Sequence, residues 1–464
     1  MSLLDHPDAQ ALLADATLTP EAVEGCQDRL TAFLQRYLPR FYRVEHRAHA
    51  STVIHGLLSG LERKTCEPIA SQAGLHRKTI QTFVGSGAWE DDAVLDELRD
   101  HVRDELADPQ AITILDSSGF VKKGTASCGV ARQWCGRLGK VDNCQLGIFL
   151  AYAAPRGCAL VDRRLYLPED WAADAERREA THVPEEVTFQ EAWRIAADLL
   201  RRNATLPHAW IVGDDEFGRP SEFRQWLRKQ GERYVLDVPC NTTIRDLQRR
   251  RPPRRRAGVG RKHAVPFCRV DTWAARQPAA RWARFTVRDG EKGPLGVEAM
   301  TVRVRAKQKR RIGPEERLLV VRTVEAQPRT SYSLSNAAPD VPLRELVRVH
   351  GTRPRIEELF ESGKGDAGLA HYEVRSWVGW HHHVTLSLLA LWFLCLERRQ
   401  LGGENPGRDG VAGAADLQPI VAGPGTDGGP DRRGDHTGAA PERGVAHLPL
   451  VCGHPDLPPT SCAA

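Results

Sequence analysis

The sequence predicts an α/β protein with a mostly-β insertion and a helical N-terminal region, and three observations carry that prediction. Two short apolar runs of β type, Ala111 to Phe120 and Ala209 to Gly218, each place carboxylates where a strand gives way to a turn. Between residues 241 and 340 further β-like segments follow one another with no sustained helical period. Upstream, helical spacing fills most of residues 20–108.

Residues 1–108 form the first expected unit. Within it, Pro68 to Val84 (PIASQAGLHRKTIQTFV) fits a helix-turn-helix. Ile69 and Ala70 belong to the first helix, and Gly74 supplies the left-handed turn. Leu75, Ile80 and Phe83 are expected to pack inward, leaving His76, Arg77, Lys78, Thr79 and Gln81 facing outward from the second helix. In that pose Arg77 and Lys78 would meet DNA; an ordinary helical hairpin is the alternative. Trp89 falls in the linker that follows.

Residues 109–240 form the first part of the α/β core. Asp116 closes the run AITILD before Ser117, Ser118 and Gly119, and Asp214 and Asp215 close AWIVGDD. Ser117 reads as a turn residue, since no Ser-His-acid arrangement surrounds it. Asp215 and Glu216 are candidates to support Asp214 from behind. A helix is expected around Pro220 to Gln230 and a strand at Tyr234 to Val238.

Residues 241–340 are the insertion, with strands expected at Trp282 to Val287, Val297 to Val304, Arg317 to Val324 and Ser331 to Ser335. Arg249 to Lys262 carries eight cations in fourteen residues, two prolines, two glycines and no acid, which makes it a loop or extended arm. Arg254, Arg255 and Arg256 lie at its centre, where clustered arginines attract a phosphate backbone through counterion release. A second cluster follows at Lys307 to Arg311. The plainer reading of both is a solvated charged loop. Trp273 and Trp282 are read either as stacking on an extruded base or as filling a small core.

Residues 341–400 return to the core. In HGTRPRIEELFESGK, Glu357 and Lys364 are seven residues apart and share a helix face, and a carboxylate beside a cation suits a metal-bound phosphate. Two hard cations need more oxygen ligands than one glutamate gives, so Asp116 and Asp214 are the candidates to join it. Pro354 biases Arg353 away from helical geometry and starts the helix. His381, His382 and His383 diverge by about 100° per position on a helix and cannot all face one ion; one is expected near phosphate beside Trp380, the others on the surface or in the core. Thr385 to Leu396 reads as a buried helix.

Residues 401–464 differ from all of this: from Gly402 onward 22 of 63 residues are Gly or Pro and aromatics vanish, a composition of disordered chain. Over the whole chain, 464 residues with 41% hydrophobic content support a substantial core, and no run of about 18 apolar residues suggests a membrane span. The N-terminal stretch has no signal-peptide pattern. The 11 cysteines include no CxxC pair, so reduced thiols in a cytoplasm are expected, and Cys128, Cys135 and Cys144 read as core rather than zinc ligands. The net charge of +5 matters through its clustering.

Several blocks together resemble the DDE transposases of bacterial insertion sequences, most closely the insertion sequence 701 family: LDSSGFVKKGTASCGVARQWCG, NCQLGIFLAYAAPRG, DRRLYLPEDW, GDDEFGR with YVLDV, and IEELFESGK followed by GLAHYEVRSWVGWHHH. The resemblance runs from roughly Leu38 to Arg399. It implies an RNase H-like catalytic domain interrupted by a β subdomain, and Asp116, Asp214 and Glu357 as the catalytic residues that bind Mg²⁺, with Mn²⁺ able to substitute. Arg353, Glu357 and Lys364 match the last three members of a tyrosine, arginine, glutamate and lysine signature, and His350 stands at the tyrosine. Lys364, Arg353 and His350 are thereby expected on DNA phosphates. The implied partners are double-stranded DNA, the terminal inverted repeats of the element, target DNA and a second copy of the chain, at the nucleoid of a bacterial cytoplasm. Two rivals remain at this level, an inactive DNA-binding descendant and a metal hydrolase of another substrate.

Overall fold

The computed structural model describes residues 25–249, 265–290, 293–308 and 311–400. Its frame is β1 (Ile112–Val121), a ten-residue strand whose first five positions are all buried. Strand β1 pairs antiparallel with β3 (Lys140–Ala154), which pairs antiparallel with β4 (Gly157–Leu165) and, at its other end, with the short β2 (Ala131–Cys135). On its other side β1 runs parallel to β5 (Trp210–Gly213), and β5 runs parallel to β6 (Tyr234–Asp237). A three-stranded antiparallel meander followed by two parallel strands beside its first member is the RNase H-like arrangement. The parallel strands are buried on both faces, which is why WIVG and YVL are unbroken apolar runs.

The sheet does not stop at β6. Strand β12 (Thr330–Ser335) adds antiparallel to it, followed by β11 (Arg311–Thr323), β10 (Gly293–Gln308), β7 (Thr243–Asp246) and β8 (Cys268–Arg269), with β9 (Ala283–Gly290) also on β10, giving one twelve-stranded sheet. Alternation along the strands feeds two cores. Leu319 and Val321 of β11 face the main core, whereas Leu318 and Val320 join Met300, Val302, Val304, Ile244 and Trp273 in a second one. Trp273 is buried there with its indole N–H 3.0 Å from Asp246 Oδ2, and Trp282 lies under the Arg322 guanidinium.

Helices cover the meander side. The last, Trp377–Gln400, is apolar nearly all round and accordingly buried along most of its length, packing against β4 and the N-terminal helices. Those include Cys26–Tyr37, Val44–Leu58, Cys66–Gln72, Arg77–Ser86 and Asp91–Leu106. Gly74 takes φ 67° between the third and fourth, the left-handed turn expected there. Ile80 and Phe83 pack inward, but Leu75 does not: it stays 37% exposed, because it belongs to the turn, its N–H bonded to Ala70 O at 2.8 Å. Trp89 lies in the linker expected for it, between Arg77–Ser86 and Asp91–Leu106, and is buried there, stacked on His382 at 3.7 Å between ring centroids. Among the described residues no helix is long and apolar enough to cross a membrane.

Candidate active site

The parallel pairing of three strands stops abreast, but β1 itself runs on to Val121 beside β3, so Asp116 and Ser117 lie within a strand and not at the strand-to-turn boundary expected for them. Leu115 of β1 is registered with Gly213 of β5, and Gly213 with Leu236 of β6. The residues that follow are Asp116, Asp214 and Asp237, so three carboxylates emerge side by side where the apolar runs stop. Local hydrogen bonds fix two of them. The Ser117 N–H donates to Asp116 Oδ1 at 2.7 Å, and Asp214 caps the short helix Asp215–Gly218, accepting from the Glu216 N–H at 3.0 Å. Gly218 lets that helix rest on the β6 backbone, because a Cβ there would strike the Asp237 carbonyl.

Glu357 comes from the first turn of the helix Pro354–Gly365. Arg353 caps that helix with helical backbone angles, φ −53° and ψ −43°, in spite of the proline after it. The expected bias is overridden because the preceding helix, Leu343–His350, runs through one tight turn into the next, and the Arg353 N–H bonds His350 O at 3.2 Å. The guanidinium therefore points into the carboxylates. Nη1 lies 2.9 Å from Glu357 Oε1 and 3.9 Å from Asp116 Oδ2, and Nε lies 3.5 Å from Asp237 Oδ2.

Charge is crowded here. Burial pushes the Asp116 carboxyl up to about 7; Glu357 and Glu216 add to this, while Arg353 and the Ser117 N–H oppose it. Asp214 is driven well above the ordinary range by burial and by Asp116, Glu216 and Asp215. Glu216 is raised by burial, against a hydrogen bond with Ser117. Asp237 behaves differently: burial would raise it, but His350, Arg353 and the Ser333 hydroxyl together hold it below the usual range. One guanidinium does not neutralise this group, and hard oxygen donors gathered in a partly desolvated cluster suit a divalent cation. Among the described residues no three His, Cys, Asp or Glu side chains are already set around one point as a metal site; Arg353 lies against Asp116, Asp237 and Glu357 instead.

The structure thus brings Asp116, Asp214, Glu357, Arg353 and His350 to one end of the sheet. His350 is not turned to solvent as a phosphate contact: its Nε2 lies 3.1 Å from Ser331 Oγ and 3.5 Å from Asp237 Oδ1. Lys364 is one strand segment further along, donating to Gly119 O at 3.3 Å beside the rings of Phe120 and Phe360. Arg77 and Lys78 are exposed on the N-terminal helices and do not join the cluster. Arg254, Arg255 and Arg256 lie outside the described residues. The histidine triplet takes the core alternative throughout: none of the three reaches the surface, so none is placed to meet phosphate. His381 bonds Trp377 O, the two ring nitrogens of His382 face Val84 O and Trp89 O, to one of which the neutral ring donates, and His383 bonds Gly368 O. Burial holds all three below the ordinary histidine value, so they are neutral spacers that seat the last helix. Asp237 was the residue that reasoning from sequence missed, although YVLD carries the same signal as AITILD and AWIVGD.

Comparison with known proteins bears on this arrangement. The sequence profile described as DDE superfamily endonuclease matches residues 36–294, more than half of the chain. The chain belongs to this family. The match contains Asp116, Asp214 and Asp237 and ends before Glu357. A further similarity is to a probable transposase for insertion sequence element IS701 from Microchaete diplosiphon, 33% identical over 89 residues. That stretch is 19% of this chain and 23% of the relative's length, so the DDE endonuclease family, rather than this relative, defines the kinship.

Proposed function

We propose that this DDE endonuclease is the transposase of an insertion sequence, cutting double-stranded DNA at the element's terminal inverted repeats and joining it to target DNA. The observation that carries the reading is the convergence of Asp116, within β1 just past its parallel pairing with β5, and Asp214, just past the end of β5, with Glu357 on the facing helix. These three would hold Mg²⁺, or Mn²⁺ in its place. Held by these residues, divalent cations would supply activation of a water or 3′-hydroxyl nucleophile and stabilisation of the departing oxygen in phosphodiester attack.

The chain's own groups have distinct tasks. Backbone N–H groups of Ser117 and Glu216 fix one oxygen of each aspartate, which leaves the other to a metal. Arg353, whose charge is opposed by burial but held by Asp237, Glu357, Asp116 and Asp214 around it, offers a planar donor set for a phosphate oxygen near the scissile bond. Lys364 lies beside β1 as a second cation for the same backbone. Phosphate contacts along the duplex fall to Arg77, Lys78, Arg254, Arg255 and Arg256, with a second copy of the chain expected on the paired ends and the complex expected at the nucleoid. The test is nicking of a labelled duplex carrying the inverted repeats that flank the gene, with Mg²⁺ or with EDTA. Metal-dependent cleavage at the repeat boundary is expected; absence of cleavage with either Mg²⁺ or Mn²⁺ would refute the proposal.

A further inference from the structure

Arg353 has one positive charge and three carboxylates around it, and they are not equivalent. Glu357 Oε1 takes a direct hydrogen bond at 2.9 Å on the Nη1 side, where Asp116 also lies. Asp237 faces the opposite, Nε, side. Asp237 is also the most firmly held of the three. Its Oδ1 accepts from the Ser333 hydroxyl at 2.6 Å and lies 3.5 Å from His350 Nε2, which leaves Oδ2 for the arginine. Its backbone is pinned by the Gly218 contact.

A divalent cation that takes oxygens of Glu357 and Asp116 must displace the guanidinium from them. A buried guanidinium that lost Glu357 and Asp116 with no other anion beside it would be left uncompensated and would compete for the site. An anion on its far side removes that conflict. We infer that Asp237 is a positioning residue that retains Arg353 at the third strand end when a metal takes Glu357, keeping the guanidinium clear of Asp116 and Asp214. The inference rests on the metal-binding reading of Asp116, Asp214 and Glu357. It assigns Asp237 no contact with the metal.

Titration of the DNA-free full chain with Mn²⁺, followed by the electron paramagnetic resonance of free Mn²⁺, separates the possibilities. Wild type binds and Asp116→Ala loses that binding. Asp237→Asn weakens binding by about tenfold, the effect of losing an outer support of a ligand shell. Arg353→Gln, which removes the competitor, binds at least as tightly as wild type. The double variant binds like Arg353→Gln alone, since nothing remains for Asp237 to hold. Wild-type affinity in Asp237→Asn overturns the inference. A double variant as weak as Asp237→Asn also overturns it, by making Asp237 a ligand. Equal binding by wild type and Asp116→Ala would instead refute the underlying metal reading. If Asp237→Asn does not fold, Ser333→Ala loosens the same carboxylate; it weakens Mn²⁺ binding only while Arg353 is present, and equal weakening without Arg353 contradicts the inference.

Discussion

Replacing Asp116 by asparagine is expected to make the metal-free protein more stable at neutral pH, against the usual effect of changing a buried polar residue. The side chain is buried, with 8% of the residue exposed, and burial with neighbouring acids lifts its carboxyl from 3.8 to about 7. Because the folded value lies above the unfolded one, the folded state holds the proton more tightly. The stability contributed by this group is therefore fully present below about pH 3.8 and is lost as pH rises through about 7. A change of that size corresponds to about 4 kcal/mol. Asparagine cannot ionise, and its carbonyl can still accept from the Ser117 N–H, so the variant escapes the loss. Urea denaturation in EDTA at pH 4 and pH 8 reads this directly: similar stabilities at the lower pH, and an advantage for Asp116→Asn approaching about 4 kcal/mol at the higher. Mg²⁺ should then stabilise wild type and not the variant, as expected for a ligand that binds only the folded site. A variant less stable than wild type at pH 8 in EDTA would refute the reasoning.

Other perturbations probe what holds the site. Arg224 and Glu316 form a buried pair at 3.0 Å, with Glu316 also accepting from the Tyr234 hydroxyl at 2.6 Å; Arg224→Met leaves the carboxylate unpaired and should cost about 3–5 kcal/mol in urea denaturation. Gly218→Ala drives a methyl into the Asp237 carbonyl, and should lower the melting temperature and remove the stabilisation by Mg²⁺ together. Neutralising Arg249, Arg250, Arg251, Arg254, Arg255 and Arg256 should weaken binding to all DNA sequences, flattening the slope of log affinity against log salt by about one per lost phosphate contact. An unchanged slope would mean that the arm is only solvated.

Parts of this structure are written locally, and those were legible. Ile112–Leu115 and Trp210–Gly213 are buried on every residue, and the change to Asp marks where the parallel pairing of β1 and β5 stops, although β1 itself runs on to Val121. Gly74 announces its turn for the same local reason. What the chain does not write locally was lost. The pairing of Leu334 with Leu236 that fuses the insertion to the core sheet joins residues 98 apart, and no periodicity within either strand names its neighbour. Leu75 was assigned inward because it is apolar, but the tight turn decides its direction. One of the three histidines was expected near phosphate and the others on the surface or in the core, and only the tertiary packing of Trp89, Val84 and Gly368 against His382 and His383 supplies the carbonyls that make their burial tolerable. Arg353 shows the reverse: its sequence context argued against a helical backbone, and a helix–turn–helix continuity invisible in the triplet Arg353-Pro354-Arg355 overrode it.

The central claim is that Asp116, Asp214 and Glu357 act as one unit on DNA. Its most direct test is metal-dependent strand cleavage of a duplex bearing the element ends by Asp116→Ala, Asp214→Ala and Glu357→Ala, each checked for DNA binding by the same substrate. The account predicts that all three bind DNA like wild type and that none cleaves it. Cleavage at the wild-type rate by any one of them would contradict it.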